Sequence, residues 1–175
     1  MGENFNNYPE EHIIKKLCIS EKFFSDIYSH VYENIDIFSD KNKKIFNIIS
    51  KFYLNFNKIP SLNEIETIIS EDLNLSKDFD LIEHLSFIKD KIELDSSDSL
   101  YFTLTERFYK HKKLTNIAHK IVEIMKENKN YVNDFDTSTI QEDIDTEIKK
   151  VLAGFKTDYV LYDDFDNRHY GMIDN

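Results

Sequence analysis

The stretch LYFTLTERFYKHKKLTNIAHKIVEIMKENKNYVNDFDTSTIQEDIDTEIKKVLAGF, Leu100 to Phe155, decides how this chain is read. Leu100, Leu104, Phe108, Leu114, Ile117, Ala118, Ile121, Val122 and Met125 recur at helical spacing and predict one amphipathic helix from about Leu100 to about Asn128. A helix of about 29 residues spans about 43 Å at ~1.5 Å per residue. The polar, acidic stretch from Asn130 to Thr137 breaks the pattern. Ser138 with Gln141, or Thr139 with Glu142, can then cap a second helix carrying Ile140, Ile144, Ile148, Val151 and Leu152 and stopping at Gly154. Two helices joined this way predict an antiparallel hairpin over 98–155. Such a hairpin has more apolar edge than one small domain covers. Leu104, Phe108, Leu114, Ile117, Ile121, Met125, Ile144, Ile148 and Val151 are therefore the candidate self-association residues.

Working back from the hairpin, residues 9–95 predict a compact bundle of five short helices. Pro9 suits a helix start ahead of Ile13, Ile14 and Leu17. Ser20 caps a stripe of Phe23, Phe24, Ile27, Tyr28 and Val31. Ser39 or Asp40 opens a helix with Ile45, Ile48, Ile49, Phe52 and Phe56. After Pro60, Ser61 and Glu64 have the S-x-x-E spacing of a capping box, followed by Ile65, Ile68, Ile69 and Leu73. A last short helix begins near Asp80 with Leu81, Leu85, Ile88 and Ile92. Residues 156–175 turn aromatic and acidic and predict a linker, with Tyr159, Val160, Tyr162 and Phe165 as its docking side chains. The expected fold class is all-α, because three glycines and two prolines in 175 residues are too few for turn-rich β architectures.

Charge and composition exclude several functions. A net charge of −11 disfavours a general nucleic-acid surface, which needs clustered cations. Arg107, Lys110, Lys112, Lys113 and Lys120 form a local basic stretch that suits nucleic acid or an acidic partner, against the plainer reading of a solvated helix face. The single cysteine, Cys18, sits among Ile14 and Leu17 and reads as a buried structural thiol in a reducing compartment. No apolar run approaches the ~20 residues of a membrane span, and no secretory signal opens the chain, so a soluble cytoplasmic protein is expected.

Catalytic and metal motifs do not assemble. His111 and His119 are eight residues apart on one helix, and a zinc site there would need two further ligands. Asp163, Asp164 and Asp166 hint at a cation loop, but counting from Asp164 places His169 at the sixth position and Asn175 at the twelfth, where an EF-hand needs Gly and Glu. No Walker A, glycine-rich dinucleotide turn or nucleophile elbow is present. The chain is expected to be no enzyme and to hold no cofactor or metal of its own.

Glu11-His12-Ile13-Ile14 with Phe23-Phe24, the Ile59-Pro60-Ser61-Leu62 turn, the arm from Ala118 to Ile124, and Phe155-Lys156-Thr157-Asp158-Tyr159-Val160 followed by Asp163-Asp164-Phe165 occur in an order that resembles the N-terminal domain of DnaB-type replicative DNA helicases, those of T-even phages and their relatives above all. The likeness runs from about Glu10 to about Arg168. It implies pairing through the hairpins into a dimer or a trimer-of-dimers collar, docking of primase or a helicase loader, only indirect contact with DNA, and no membrane. It also implies an ATP- and magnesium-dependent motor domain after residue 175, with the host cytoplasm as the compartment if a phage encodes it. The chain is then either a piece of a longer helicase or a stand-alone homologue. The competing reading is a small acidic phage protein that binds and inhibits or redirects a host protein, steered by its charge. An enzyme with an unrecognised site is the third.

Overall fold

The computed structural model describes residues 7–94, 97–127 and 137–153. Among these residues it is all-helical, with α1 (Pro9–Leu17), α2 (Glu21–Glu33), α3 (Asp40–Phe56), α4 (Leu62–Glu71), α5 (Phe79–Lys91), α6 (Asp98–Glu127) and α7 (Thr137–Leu152). Single 3₁₀ turns at Ile35–Ile37 and Leu75–Lys77 bridge α2 to α3 and α4 to α5. No helix among the described residues is long and apolar enough to cross a membrane. The linker side chains Tyr159, Val160, Tyr162 and Phe165, and the acidic loop with His169, lie outside the described residues.

The chain divides into two compact units, Met1–Thr105 and Glu106–Asn175. The boundary falls inside α6 and not at the polar break before it, so the first unit is larger than the expected 9–95. The reason is burial: Tyr101 and Phe102 in the first turns of α6 are withdrawn from water, and so is Thr105, whose hydroxyl donates to the Tyr101 carbonyl at 2.7 Å.

In the first unit α1 is the hub. It packs against α2, α3 and α5, and α4 packs against α3 and α5. A helix touched on three sides buries nearly its whole circumference: Ile13, Ile14 and Leu17 are fully covered, and Glu10, His12 and Lys16 go under with them. Buried polar groups must find partners there, because an unmet one costs about 1–3 kcal/mol. Glu10 shows the solution. Its Oε2 accepts the Ser39 N–H at 2.7 Å and the Asn42 side-chain amide at 3.0 Å, so it caps α3 from a different helix. Ser39, the expected cap, contributes no side-chain bond to the α3 backbone; its hydroxyl accepts from Asn42 at 3.1 Å. Lys15 does the converse job, donating to the carbonyls of Lys89 and Ile92 at 2.6 and 2.7 Å at the C-terminal end of α5.

Two local signals in the first unit act where they were read. Ser20 accepts the Phe23 N–H at 3.1 Å, and Ser61 and Glu64 close both halves of their capping box. Asp78, two residues before the expected start near Asp80, caps α5 by accepting the Leu81 N–H at 3.1 Å. Asn57 takes the left-handed conformation that ends α3, with φ 49°, a shape that asparagine tolerates better than most residues. From α3 through the end of α4, two apolar residues depart from the expected stripes. Leu73 is 81% exposed because α4 stops at Glu71, and Phe56, on the last turn of α3, is 67% exposed. The Phe56 ring lies 4.7 Å from that of Phe52.

The aromatic content concentrates between α2 and α3. Phe24, Tyr28 and Tyr53 pack as a trio with ring centroids 4.7 to 5.2 Å apart, and Phe46, fully buried, joins Tyr28 at 5.8 Å and Phe38 at 6.2 Å. Truncating Phe46 removes the ring that closes this cluster. Phe46→Ala is expected to cost about 3–5 kcal/mol in urea unfolding, and Ser61→Ala about 1 kcal/mol. Equal losses for the two would show that the aromatic cluster does not carry the core.

Candidate assembly surface

The start of α6 is locked into the first unit by charge. Lys16 is buried to 4% exposure and reaches Asp98 at 2.7 Å. Its ammonium also lies 5.1 Å from the centre of the Tyr101 ring, a cation–π distance. Ser20 donates its hydroxyl to the other oxygen of Asp98 at 2.9 Å while capping α2. Partial burial pushes the Asp98 carboxyl upward, but the hydrogen bonds from Lys16 and Ser20, with the Lys16 charge, outweigh it and hold the group below the usual aspartate range. Tyr101 completes the lock, with its ring 6.2 Å from His12 and 6.4 Å from Phe23.

Beyond Thr105, α6 changes sides. At ~100° per residue, Phe108 and Ile117 point in directions about 180° apart. Both are buried, at 9% and 5% exposure. The described residues from Leu104 to Ile121 therefore do not form the single stripe expected from their spacing. Leu104 is half-buried in the first unit; in the second, Ile121 is half-buried and Leu114 is 39% exposed. The Met125 side chain lies outside the described residues. On α7, Ile144 and Ile148 are half-buried and Val151 is 4% exposed, all within about 60° of one another around the axis.

What stays open on α6 is a ridge. Leu114, Ala118 and Val122 follow one another at i, i+4 spacing and are all exposed, Leu114 at 39% and Val122 at 46%. Rows at this spacing are the ridges that one helix sets into the grooves of another. Ala118 and Val122 were outside the candidate set, which followed the strongest hydrophobes. The signal that finds them is the fourfold step from Leu114, with a small residue in the middle that allows close approach. Leu152 on α7 is also exposed, at 61%.

The basic stretch does not form one face. Lys112 stands about 140° from Arg107 and about 160° from Lys110. Lys110 pairs with Glu106 at 3.0 Å, Lys112 lies 5.4 Å from the centre of the Phe108 ring, and Lys120 meets Glu147 of α7 at 3.5 Å. Arg107 is exposed and Lys113 half-buried. The Lys120–Glu147 pair joins α6 to α7, but both ends face water, so it contributes at most about 1 kcal/mol and serves to set register.

Burial pushes the Cys18 thiol up to about 12, which leaves no thiolate near neutrality. Among the described residues no group of three or more His, Cys, Asp or Glu side chains could hold a metal ion.

The lock makes an asymmetric prediction. Asp98→Ala leaves a buried ammonium without its carboxylate and should cost about 3 kcal/mol, whereas Lys16→Met leaves a partly exposed Asp98 still bonded to Ser20 and should cost about 1 kcal/mol. Unfolded Asp98 takes up its proton at higher pH than the folded residue does. Its stabilisation is therefore complete above the ordinary aspartate value, ~3.9, and fades as pH falls through the lower folded value. Urea unfolding of Asp98→Asn should show a shallower loss of stability across that acidic range than the unaltered chain. No family model, characterised protein or solved structure matches this chain.

Proposed function

We propose that this chain is a helical assembly module, and that it serves as the N-terminal pairing and docking domain of a hexameric replicative DNA helicase. The order of elements supports this reading: five short helices, then a 30-residue helix, then a second helix that meets it through Lys120 and Glu147, which the reading takes as an antiparallel hairpin. The observation that carries the reading is the exposed Leu114–Ala118–Val122 ridge. Each such residue left in water forgoes ~25 cal/mol per Å² of burial, and a row of them on one helix suits another helix. A second copy of the chain is the proposed occupant. Primase or a helicase loader would use other surfaces of the collar, and the ATPase chemistry would belong to a motor domain in the same polypeptide.

The alternative, a small acidic protein that captures a basic host protein, is favoured by the net charge of −11. Reading the gene past codon 175 separates the two, since the helicase reading expects a Walker A motif downstream and the alternative expects none. Self-association is tested directly by light scattering on the 175-residue chain. A concentration-dependent dimer is expected, and Ala118→Glu with Val122→Glu should return it to a monomer with the melting temperature of the monomer unchanged. A strict monomer at the highest soluble concentration would overturn the pairing role.

A further inference from the structure

The polar knot at the meeting of α1, α3 and α5 has the parts of a switch. Asn42 is fully buried, yet its side chain serves four neighbours. Its Nδ2 faces Glu10 at 3.0 Å, Glu11 at 3.2 Å and the Ser39 hydroxyl at 3.1 Å. Two of these are carboxylates that can only accept, so the amide orientation is fixed by chemistry and Oδ1 points at His84. The His84 Nε2 lies 3.0 Å from that oxygen and must carry a hydrogen to satisfy it. His84 is thus the Nε2–H tautomer, and any added proton goes to Nδ1. The same Nε2 lies 3.7 Å from the Glu11 Oε1, a second acceptor just beyond bonding range.

We propose that this junction is a proton-operated latch, in which charging His84 moves its Nε2–H from the Asn42 oxygen to the Glu11 carboxylate. The added proton comes from water and no covalent bond other than Nδ1–H forms. The neutral ring keeps the amide oxygen because that acceptor is in bonding range at 3.0 Å, while the carboxylate stands off at 3.7 Å. Charging the ring adds an ion–ion attraction toward the Glu11 carboxylate that the uncharged amide oxygen does not offer. The Asn42 oxygen then loses its donor inside a dry interior, and the side chain must turn. Turning withdraws Nδ2 from Glu10, the carboxylate that caps α3 through the Ser39 N–H at 2.7 Å. Acidification would therefore loosen the N-terminal end of α3 without unfolding the aromatic cluster farther along it.

The charges acting on His84 come from two neighbouring helices. From α1, Glu11 and Glu10 favour the charged ring; from α3, Lys41 opposes it. Burial is the largest influence and holds His84 below the ordinary histidine value of ~6.5. The unfolded chain therefore binds this proton first, and the stabilisation from neutral His84 is complete above that value and lost as pH falls through the folded one.

Titrating the full chain by NMR from neutral pH to about 5 covers the histidine range. The Asn42 side-chain amide and the Ser39 backbone amide should both shift with the midpoint of the His84 ring, and Ser39 exchange protection should fall at least about tenfold. His84→Gln keeps an N–H donor but never charges, and should leave both amides unresponsive. Glu11→Gln removes the charged alternative acceptor, so His84 should titrate at lower pH and the Asn42 response should shrink. If His84 titrates in the unaltered chain while Asn42 and Ser39 stay fixed, the latch is overturned. If Glu11→Gln leaves the coupled response at full size, it is overturned as well, even should His84→Gln fail to fold.

Discussion

One buried ammonium organises this chain. Lys16 sits on the hub helix, and its bond to Asp98 at 2.7 Å fixes where the 30-residue helix α6 begins. Removing a lysine from water is expensive, and the expense is met only by a well-placed carboxylate with its remaining bonds filled. Here Ser20 fills one of them and the Tyr101 face supplies a further electrostatic contact. A buried pair of this kind is weak as net stabilisation but strong as specification. An α6 that began one residue earlier or later would leave Lys16 unmatched, so the helix has one way to start.

The same logic runs through the hub. A nine-residue helix touched on three sides has no room for a polar face, so Glu10, His12 and Lys16 must be used where they lie. Glu10 caps α3, Lys15 caps α5, and Lys16 holds α6. Three helix ends are thus governed by side chains from α1. Burial of Ile13, Ile14 and Leu17 drives the collapse, and the charged residues decide which collapsed arrangement is accepted.

The contrast between what the sequence discloses and what it conceals follows from range. Ser61 and Glu64 are three residues apart, and their capping box could be read directly. The all-α class followed from the apolar spacing and the scarcity of glycine and proline. The Glu10–Ser39 bond spans 29 residues and Lys16–Asp98 spans 82, and nothing local marks either as a partner. In sequence, Glu10, Lys16 and Asn42 look like ordinary solvated positions, because burial on α1 arises from three neighbours at once. The single apolar stripe expected on α6 failed for a different reason. Positions four residues apart always look continuous, but the step from Phe108 to Ile117 is nine, and it carries the dry side across the axis.

That crossing has a consequence for how α6 can be partnered. A coiled coil needs one seam that persists turn after turn, and α6 changes its seam partway. No single companion rod can follow it from end to end. A partner following the Leu114–Ala118–Val122 ridge is confined to the distal turns, while Tyr101 and Phe102 belong to the bundle. The crossing also sets a strict count. One residue added between Phe108 and Ile117 would rotate everything distal by about 100°, so this interval should tolerate substitution far better than insertion or deletion.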